Sequence, residues 1–186
     1  MKKKSLNIST KLARAGINPK NNFGIPNPPV YHASTILYPD SKSRRSRKVA
    51  YEYGRYGTPT SDALSISVAQ LYEAEGTILT PSGLAAAVTA LLTFIKAGDH
   101  ILVTDSTYGS TRNFMTEYLP RIDVEVEFYH PNINFKDLKK LLRSNTTVIY
   151  FESPGSHTFE IQDLPALSKV AKKNKIITLA DNTWAT

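Results

Sequence analysis

From Thr60 onward, segments of helical and of strand period alternate along the chain, separated by short polar turns. Strands joined through helices cannot pair as hairpins, so this order predicts an α/β fold: an open, mostly parallel sheet with helices on both faces. Thr60 or Ser61 can cap a helix in which Leu64, Val68 and Leu71 fall on one face. Residues 77–80 read as a short strand, and Pro81-Ser82-Gly83 turns into an apolar helix over 84–96, closed by Gly98 and expected to be buried on most sides. Strand 100–105 and helix 110–118 follow. Residues 124–129 alternate Val, Glu, Val, Glu and Phe, the pattern of a strand with one wet face near an edge. After a helix over 135–143, residues 147–151 form a continuous apolar run, as expected for a strand buried on both faces. Asp163 caps a helix reaching about Asn174, with Pro165 tolerated in its first turn. The last strand, 176–180, delivers Asp181 at its carboxyl end.

Composition and charge narrow the classes of function. With 186 residues, of which 41% are hydrophobic, the chain can bury one sizeable core. It has no cysteine, which removes disulfides, thiolate metal sites and thiol nucleophiles. His32, His100, His130 and His157 are scattered without metal-ligand spacing, so no metal site is expected. The net charge of +7 is uneven. Residues 1–50 hold 11 Lys/Arg against the single acid Asp40, a net of +10; the rest hold 12 against 15 acids, a net of −3. Basic character is therefore confined to an N-terminal arm with Lys2, Lys3, Lys4 and the run Arg44, Arg45, Arg47 and Lys48, in Asn-, Pro- and Ser-containing sequence that reads as an extended segment. The slightly acidic remainder argues against nucleic acid. An acid-poor start also fits an organelle transit peptide, but a solvated arm is the plainer reading. There is no run of 18 or more apolar residues, so no membrane partner is expected and the cytoplasm is the default location.

In open parallel sheets ligands bind beyond the carboxyl ends of the strands, which singles out Ser82-Gly83-Leu84, Tyr108 and Asp181. Glycine at a helix start lets backbone amides approach an anion such as phosphate. The Tyr108 ring can stack on a planar ligand, and a carboxylate closing an apolar strand needs a cation or several donors. Tyr53 and Arg55, on the loop Tyr53-Gly54-Arg55-Tyr56-Gly57-Thr58-Pro59-Thr60, offer a phenol and a guanidinium for gripping phosphate. Each feature singly also fits a structural role: a turn, a packing ring, a backbone cap or a solvated loop.

Taken in order, Y-x-R-x-x-x-P-T at Tyr53–Thr60, S-G-x-A-A at Ser82–Ala86, D-x-x-Y-G at Asp105–Gly109, E-S-P-G-S at Glu152–Ser156 and D-N-T-W at Asp181–Trp184 form a more specific set. Together they resemble the Cys/Met-metabolism enzymes dependent on pyridoxal 5'-phosphate. The stretches Glu152–Asp163 and Asp181–Thr186, with Leu12-Ala13-Arg14-Ala15-Gly16, look most like bacterial cystathionine β-lyases. The resemblance covers the whole chain but only the N-terminal half of a family member.

The resemblance implies a type I pyridoxal phosphate-transferase large domain, incomplete, over residues 60–186, preceded by an N-terminal arm and subunit-contacting loop over 1–59. Ser82, Gly83 and Leu84 would bind the cofactor phosphate. Tyr108 would stack on the pyridine ring with a catalytic part, and Asp181, with Thr183 on its side, would pair with the pyridine nitrogen. Tyr53 and Arg55 would reach the phosphate of a neighbouring subunit, so at least a homodimer is implied. The implied reaction is Cβ–Sγ cleavage of cystathionine to homocysteine, pyruvate and ammonia, a step of methionine biosynthesis. The lysine that holds the cofactor as a Schiff base belongs to a T-K motif after D-N-T-W, beyond Thr186. Lys96, Lys136, Lys139, Lys140, Lys169, Lys172, Lys173 and Lys175 fall at a helix end, on polar helix faces or at a strand start, where none is expected to replace it. The chain alone is therefore expected to be inactive, and a complementing C-terminal chain is one way to restore the site. The alternatives are another member of the family, a γ-lyase or γ-synthase, or a non-catalytic remnant that binds a partner.

Overall fold

Strands β1 (His100–Thr104), β2 (Glu125–Tyr129), β3 (Thr146–Glu152) and β4 (Ile177–Asp181) form one sheet in the order β2-β1-β3-β4, every neighbouring pair parallel. The computed structural model describes residues 6–186, so Lys2, Lys3 and Lys4 lie outside the described residues. The chain divides into a unit ending at Leu79 and a second spanning Thr80–Thr186, which holds the whole sheet.

Helix α4 (Gly83–Phe94) and the turns that follow the short α5 (Gly109–Asn113) cover one face of the sheet, while α6 (Phe135–Leu141) and α7 (Leu164–Lys173) cover the other. The two faces follow from the period of 2 along β3: Val148 and Tyr150 pack with Leu91, Met115 and Leu119, whereas Ile149 and Phe151 pack with Leu138, Leu167 and Ala171. Each fully buried aliphatic side chain contributes about 1.5–3 kcal/mol. The continuous apolar run of β3 is thus explained, since both of its faces are covered. Strand β2 lies at a sheet edge, as its alternation predicts. Asp163 caps α7 through its Oδ1, which accepts from the Ala166 amide at 3.1 Å, with Pro165 in the first turn.

Several expectations are corrected. Residues 77–80 are not a strand: no strand pairs with them among the described residues, and Ile78 is 85% exposed. β-propensity alone cannot hold an extended segment that lacks a ladder partner. Helix α4 buries only Leu91 fully, with Leu84, Leu92 and Phe94 well exposed, because the sheet covers one side of it. Gly98 does adopt a positive φ of 85°, but α4 ends earlier, at Phe94. The predicted helix 110–118 is a composite, in which α5 runs into a π turn over Phe114–Tyr118 and a 3-10 turn over Leu119–Ile122.

In the first unit, α1 (Ile8–Arg14) and α2 (Ser41–Ser46) interrupt the arm, and α3 (Pro59–Tyr72) follows it. Composition predicts extended chain around Arg44 and Arg45, but Asp40 caps α2 by accepting from the Ser43 amide at 2.6 Å, which also lowers the Asp40 pKa. The cap of α3 is Thr58 rather than Thr60 or Ser61. Pro59 lacks an amide proton and is best placed at the first helical position, with Thr58 and Ser61 closing a reciprocal capping box. Thr60 instead accepts from the Tyr31 amide and donates to the Pro29 carbonyl, tying the loop to the helix start. Among the described residues, no helix is long and apolar enough to cross a membrane.

Candidate functional site

The N-terminal turn of α4 presents free donors. Ser82 is its cap, with Oγ accepting from the Ala85 amide at 3.1 Å and its carbonyl accepting from Ala86. The amides of Gly83 and Leu84 have no acceptor among the described residues, and a helix start concentrates positive potential there. A Cβ built on Gly83 would meet nothing within 4 Å, so the space above this turn is open.

Facing that turn is the carboxyl end of β4. By alternation Leu179 and Asp181 point to the α4 face, as do Tyr150 and Glu152 on β3. Gly83, Ala87, Tyr150, Asp181, Asn182 and Thr183 line a cleft of about 390 Å³ between helix and strand. Asp181 Oδ1 accepts from both the Thr183 amide (3.0 Å) and the Thr183 hydroxyl (2.6 Å). Its other carboxylate oxygen has no partner among the described residues. Asp181 is half-buried rather than enclosed, and its bonds to Thr183 are those of a backbone cap as well as of a fixed carboxylate. Burial pushes the Tyr150 phenol up, and the Asp181 charge adds to it, so Tyr150 meets the cleft as a neutral hydroxyl.

Glu152, a member of E-S-P-G-S with no role read from sequence, is 5% exposed at the end of β3. Its Oε2 accepts from the Tyr108 amide at 2.8 Å, and Oε1 accepts from the Ser156 hydroxyl. Burial raises its pKa, and the neighbouring Asp181 charge raises it further, while the bonds from Ser156 and the Tyr108 amide act the other way. Ser156 is placed by the loop after β3, where its amide donates to the Ser106 carbonyl at 2.8 Å. Gly155 makes that approach possible, since a Cβ there would lie 2.6 Å from Ser106 Cβ. The signal available in sequence was a carboxylate directly after a wholly apolar strand, where an acid needs dedicated donors.

Tyr108 lies at the start of α5, where no side chain caps the helix. Its ring is 53% exposed and is not part of the cleft lining. The structure thus brings Gly83, Asp181 and Thr183 to one cleft, sets Ser82 and Leu84 at the helix start beside it, and leaves the Tyr108 ring outside the lining. In the first unit, the Arg55 guanidinium stacks on the Tyr53 ring at 5.0 Å, and Tyr56 meets the same ring edge-on. Gly54 is required between them: a Cβ there would fall 1.8 Å from the Ala33 carbonyl oxygen.

Comparison with known proteins adds to this geometry. The model of the family described as Cys/Met metabolism PLP-dependent enzyme matches residues 9–186. A Rhizobium johnstonii protein provisionally named cystathionine beta-lyase is 49% identical over 179 residues, covering 96% of this chain and 45% of the relative. The crystal structure of metB from Corynebacterium glutamicum superposes with a TM-score of 0.90 at 28% identity, covering 98% of this chain and 46% of that one. The structure of cystathionine gamma-lyase from Lactobacillus plantarum, complexed with L-serine, gives 0.87 at 26% identity, covering 97% and 46%. The chain therefore spans about half the length of the relatives it matches.

Proposed function

The chain belongs to the family of Cys/Met metabolism PLP-dependent enzymes, and we propose that it forms the cofactor-binding portion of a cystathionine β-lyase-like carbon–sulfur lyase. The observation that carries this reading is the cleft lined by both Gly83, at a helix start whose Gly83 and Leu84 amides are unpaired, and the half-free carboxylate of Asp181. That donor set fits pyridoxal 5'-phosphate: a helix start for a phosphate dianion and a carboxylate for a protonated ring nitrogen.

In this reading the Gly83 and Leu84 amides hold the phosphate, and the Ser82 hydroxyl, which uses only its lone pair on Ala85, donates its proton to the same anion. Asp181, fixed by Thr183, accepts the pyridine N–H through its free oxygen and keeps that proton in place. Pyridoxal phosphate, when bound, supplies an electron sink for the carbanion formed at the substrate Cα. Tyr108 would pack its ring on the pyridine, and Tyr53 and Arg55 would reach the phosphate held by a neighbouring subunit, so that the active form would be a homo-oligomer. The lysine that attaches the cofactor is supplied from outside residues 1–186, by continuing sequence or by a complementing chain. The substrate is a sulfur amino acid, and the reaction is release of homocysteine, pyruvate and ammonia from cystathionine. The 49% identity to a relative of β-lyase name supports that choice. A second reading, a γ-lyase or γ-synthase, is favoured by the close superposition on a cystathionine gamma-lyase.

Titration of the chain with pyridoxal phosphate, followed by absorbance, tests the site. Saturable binding that Asp181→Ala weakens about tenfold or more is expected; no binding, or binding indifferent to that variant, overturns the assignment. With the attaching lysine present, homocysteine released from cystathionine supports the β-lyase, and cysteine released instead supports the γ-lyase.

A further inference from the structure

The Tyr108 ring can act on a ligand only if its backbone is held in place, yet α5 begins at Gly109 with no side-chain cap and Tyr108 is solvent-exposed. Among the contacts that hold the segment between β1 and α5, two lie at Thr107 and Tyr108. Thr107 donates its hydroxyl to the Thr104 carbonyl at 2.7 Å, which secures the turn next to the strand. The amide of Tyr108 itself donates to Glu152, on a different strand and 44 residues away. Glu152 is in turn held by Ser156, whose loop is seated on Ser106 by the Ser156 amide and by the absence of a Cβ at Gly155. Its neighbour across the ladder is Asp181. A buried acid beside a second carboxylate is a costly placement for a residue whose only task is to end a strand.

We propose that Glu152 is a positioning residue: by accepting the Tyr108 amide it sets where the Tyr108 ring stands relative to the Asp181 cleft. The inference rests on the reading above only in that Tyr108 acts on the pyridine ring. The hydrogen bond and its mechanical consequence belong to the ligand-free chain. Glu152→Met keeps roughly the size of the side chain but removes both carboxylate oxygens, so it can hold neither the Tyr108 amide nor the Ser156 hydroxyl as the carboxylate does. Ser156→Ala leaves the carboxylate and removes its other support.

Amide hydrogen exchange in the ligand-free chain is the direct test. Glu152→Met is expected to speed exchange at Tyr108 about tenfold or more while Ile149 and Tyr150 in β3 stay protected, and Ser156→Ala is expected to give a smaller increase at the same amide. Unchanged protection of Tyr108 in Glu152→Met overturns the proposal. So does loss of protection throughout β3, which would make Glu152 a residue that holds the sheet; if that variant fails to fold, an unmoved Tyr108 amide in Ser156→Ala overturns it equally. The second readout is pyridoxal phosphate affinity. Glu152→Met is expected to weaken it about tenfold in the parent and to have no further effect in a Tyr108→Ala background, because the two act through one ring. Additive losses overturn the positioning role. If Tyr108→Ala itself leaves the affinity unchanged, the assignment of Tyr108 to the cofactor fails, while the exchange result still decides what Glu152 does.

Discussion

Glu152 and Asp181 are the last register pair of the β3–β4 ladder, and both carboxylates point to the face covered by α4. Parallel pairing places them side by side at the sheet's carboxyl edge, where burial already disfavours charge on Glu152.

Neutralising one member should therefore be felt by the other. Asp181→Asn is expected to lower the Glu152 pKa while leaving it above the usual carboxylate value, since burial is the larger cause and persists. Carboxyl carbon titration by NMR reads this directly. A Glu152 pKa unmoved by Asp181→Asn contradicts the pairing.

His100 is fully buried at the opposite, amino end of β1, with Nδ1 2.8 Å from the Thr146 hydroxyl and Nε2 3.4 Å from Glu127. Burial lowers its pKa and the Arg143 charge adds to this, with Glu127 and Glu125 acting against them. The unfolded chain then takes up a proton that folded His100 resists. The His100 contribution to stability is complete above the ordinary imidazole value, about pH 6.5, and is lost as pH falls below it towards the lowered folded value. Denaturant unfolding at a series of pH values should show this slope, and His100→Gln should flatten it.

Gly155→Ala forces a Cβ to within 2.4 Å of Ser106 Oγ. Overpacking of this kind costs about 1–3 kcal/mol. Urea unfolding should show such a loss, and adding Ser106→Gly should recover part of it. Equal loss in the single and double variants would place the strain elsewhere.

Ser82→Ala removes the acceptor for the Ala85 amide at the start of α4. A lost cap of this type costs about 1 kcal/mol. The midpoint of chemical unfolding is expected to fall accordingly, with faster amide exchange confined to the first turn of α4. A change spread over β1 and β3 would not be explained by the cap.

Leu91 is fully buried where α4 meets the sheet, whereas Leu92, its chain neighbour, is 40% exposed. Leu91→Ala is expected to cost about 2–5 kcal/mol. Leu92→Ala is expected to cost much less, about 0.5 kcal/mol, as surface substitutions usually do. Comparing the two unfolding curves tests whether α4 buries one narrow stripe.

Local period and chemistry made much of this fold readable. The alternation of Val, Glu and Phe in β2 marked a half-wet strand, the unbroken apolar run of β3 marked a central one, and Asp163 with Pro165 marked the start of α7, because these depend on residues adjacent in sequence. Gly83 and Asp181 could be singled out because they sit directly after turn or strand signals. What the same patterns could not carry was which surfaces find a partner. Residues 77–80 have strand-forming side chains but no ladder among the described residues, and α4 has the composition of an enclosed helix while only Leu91 is sealed. The relationship between Tyr108 and Glu152 exists only because the sheet order places β1 directly beside β3, bringing residues 44 apart within a hydrogen bond. Side-chain type and spacing are local properties and determine each element, whereas burial, the pairing of Glu152 with Asp181 and the seat of Tyr108 are set by strand order and long-range packing.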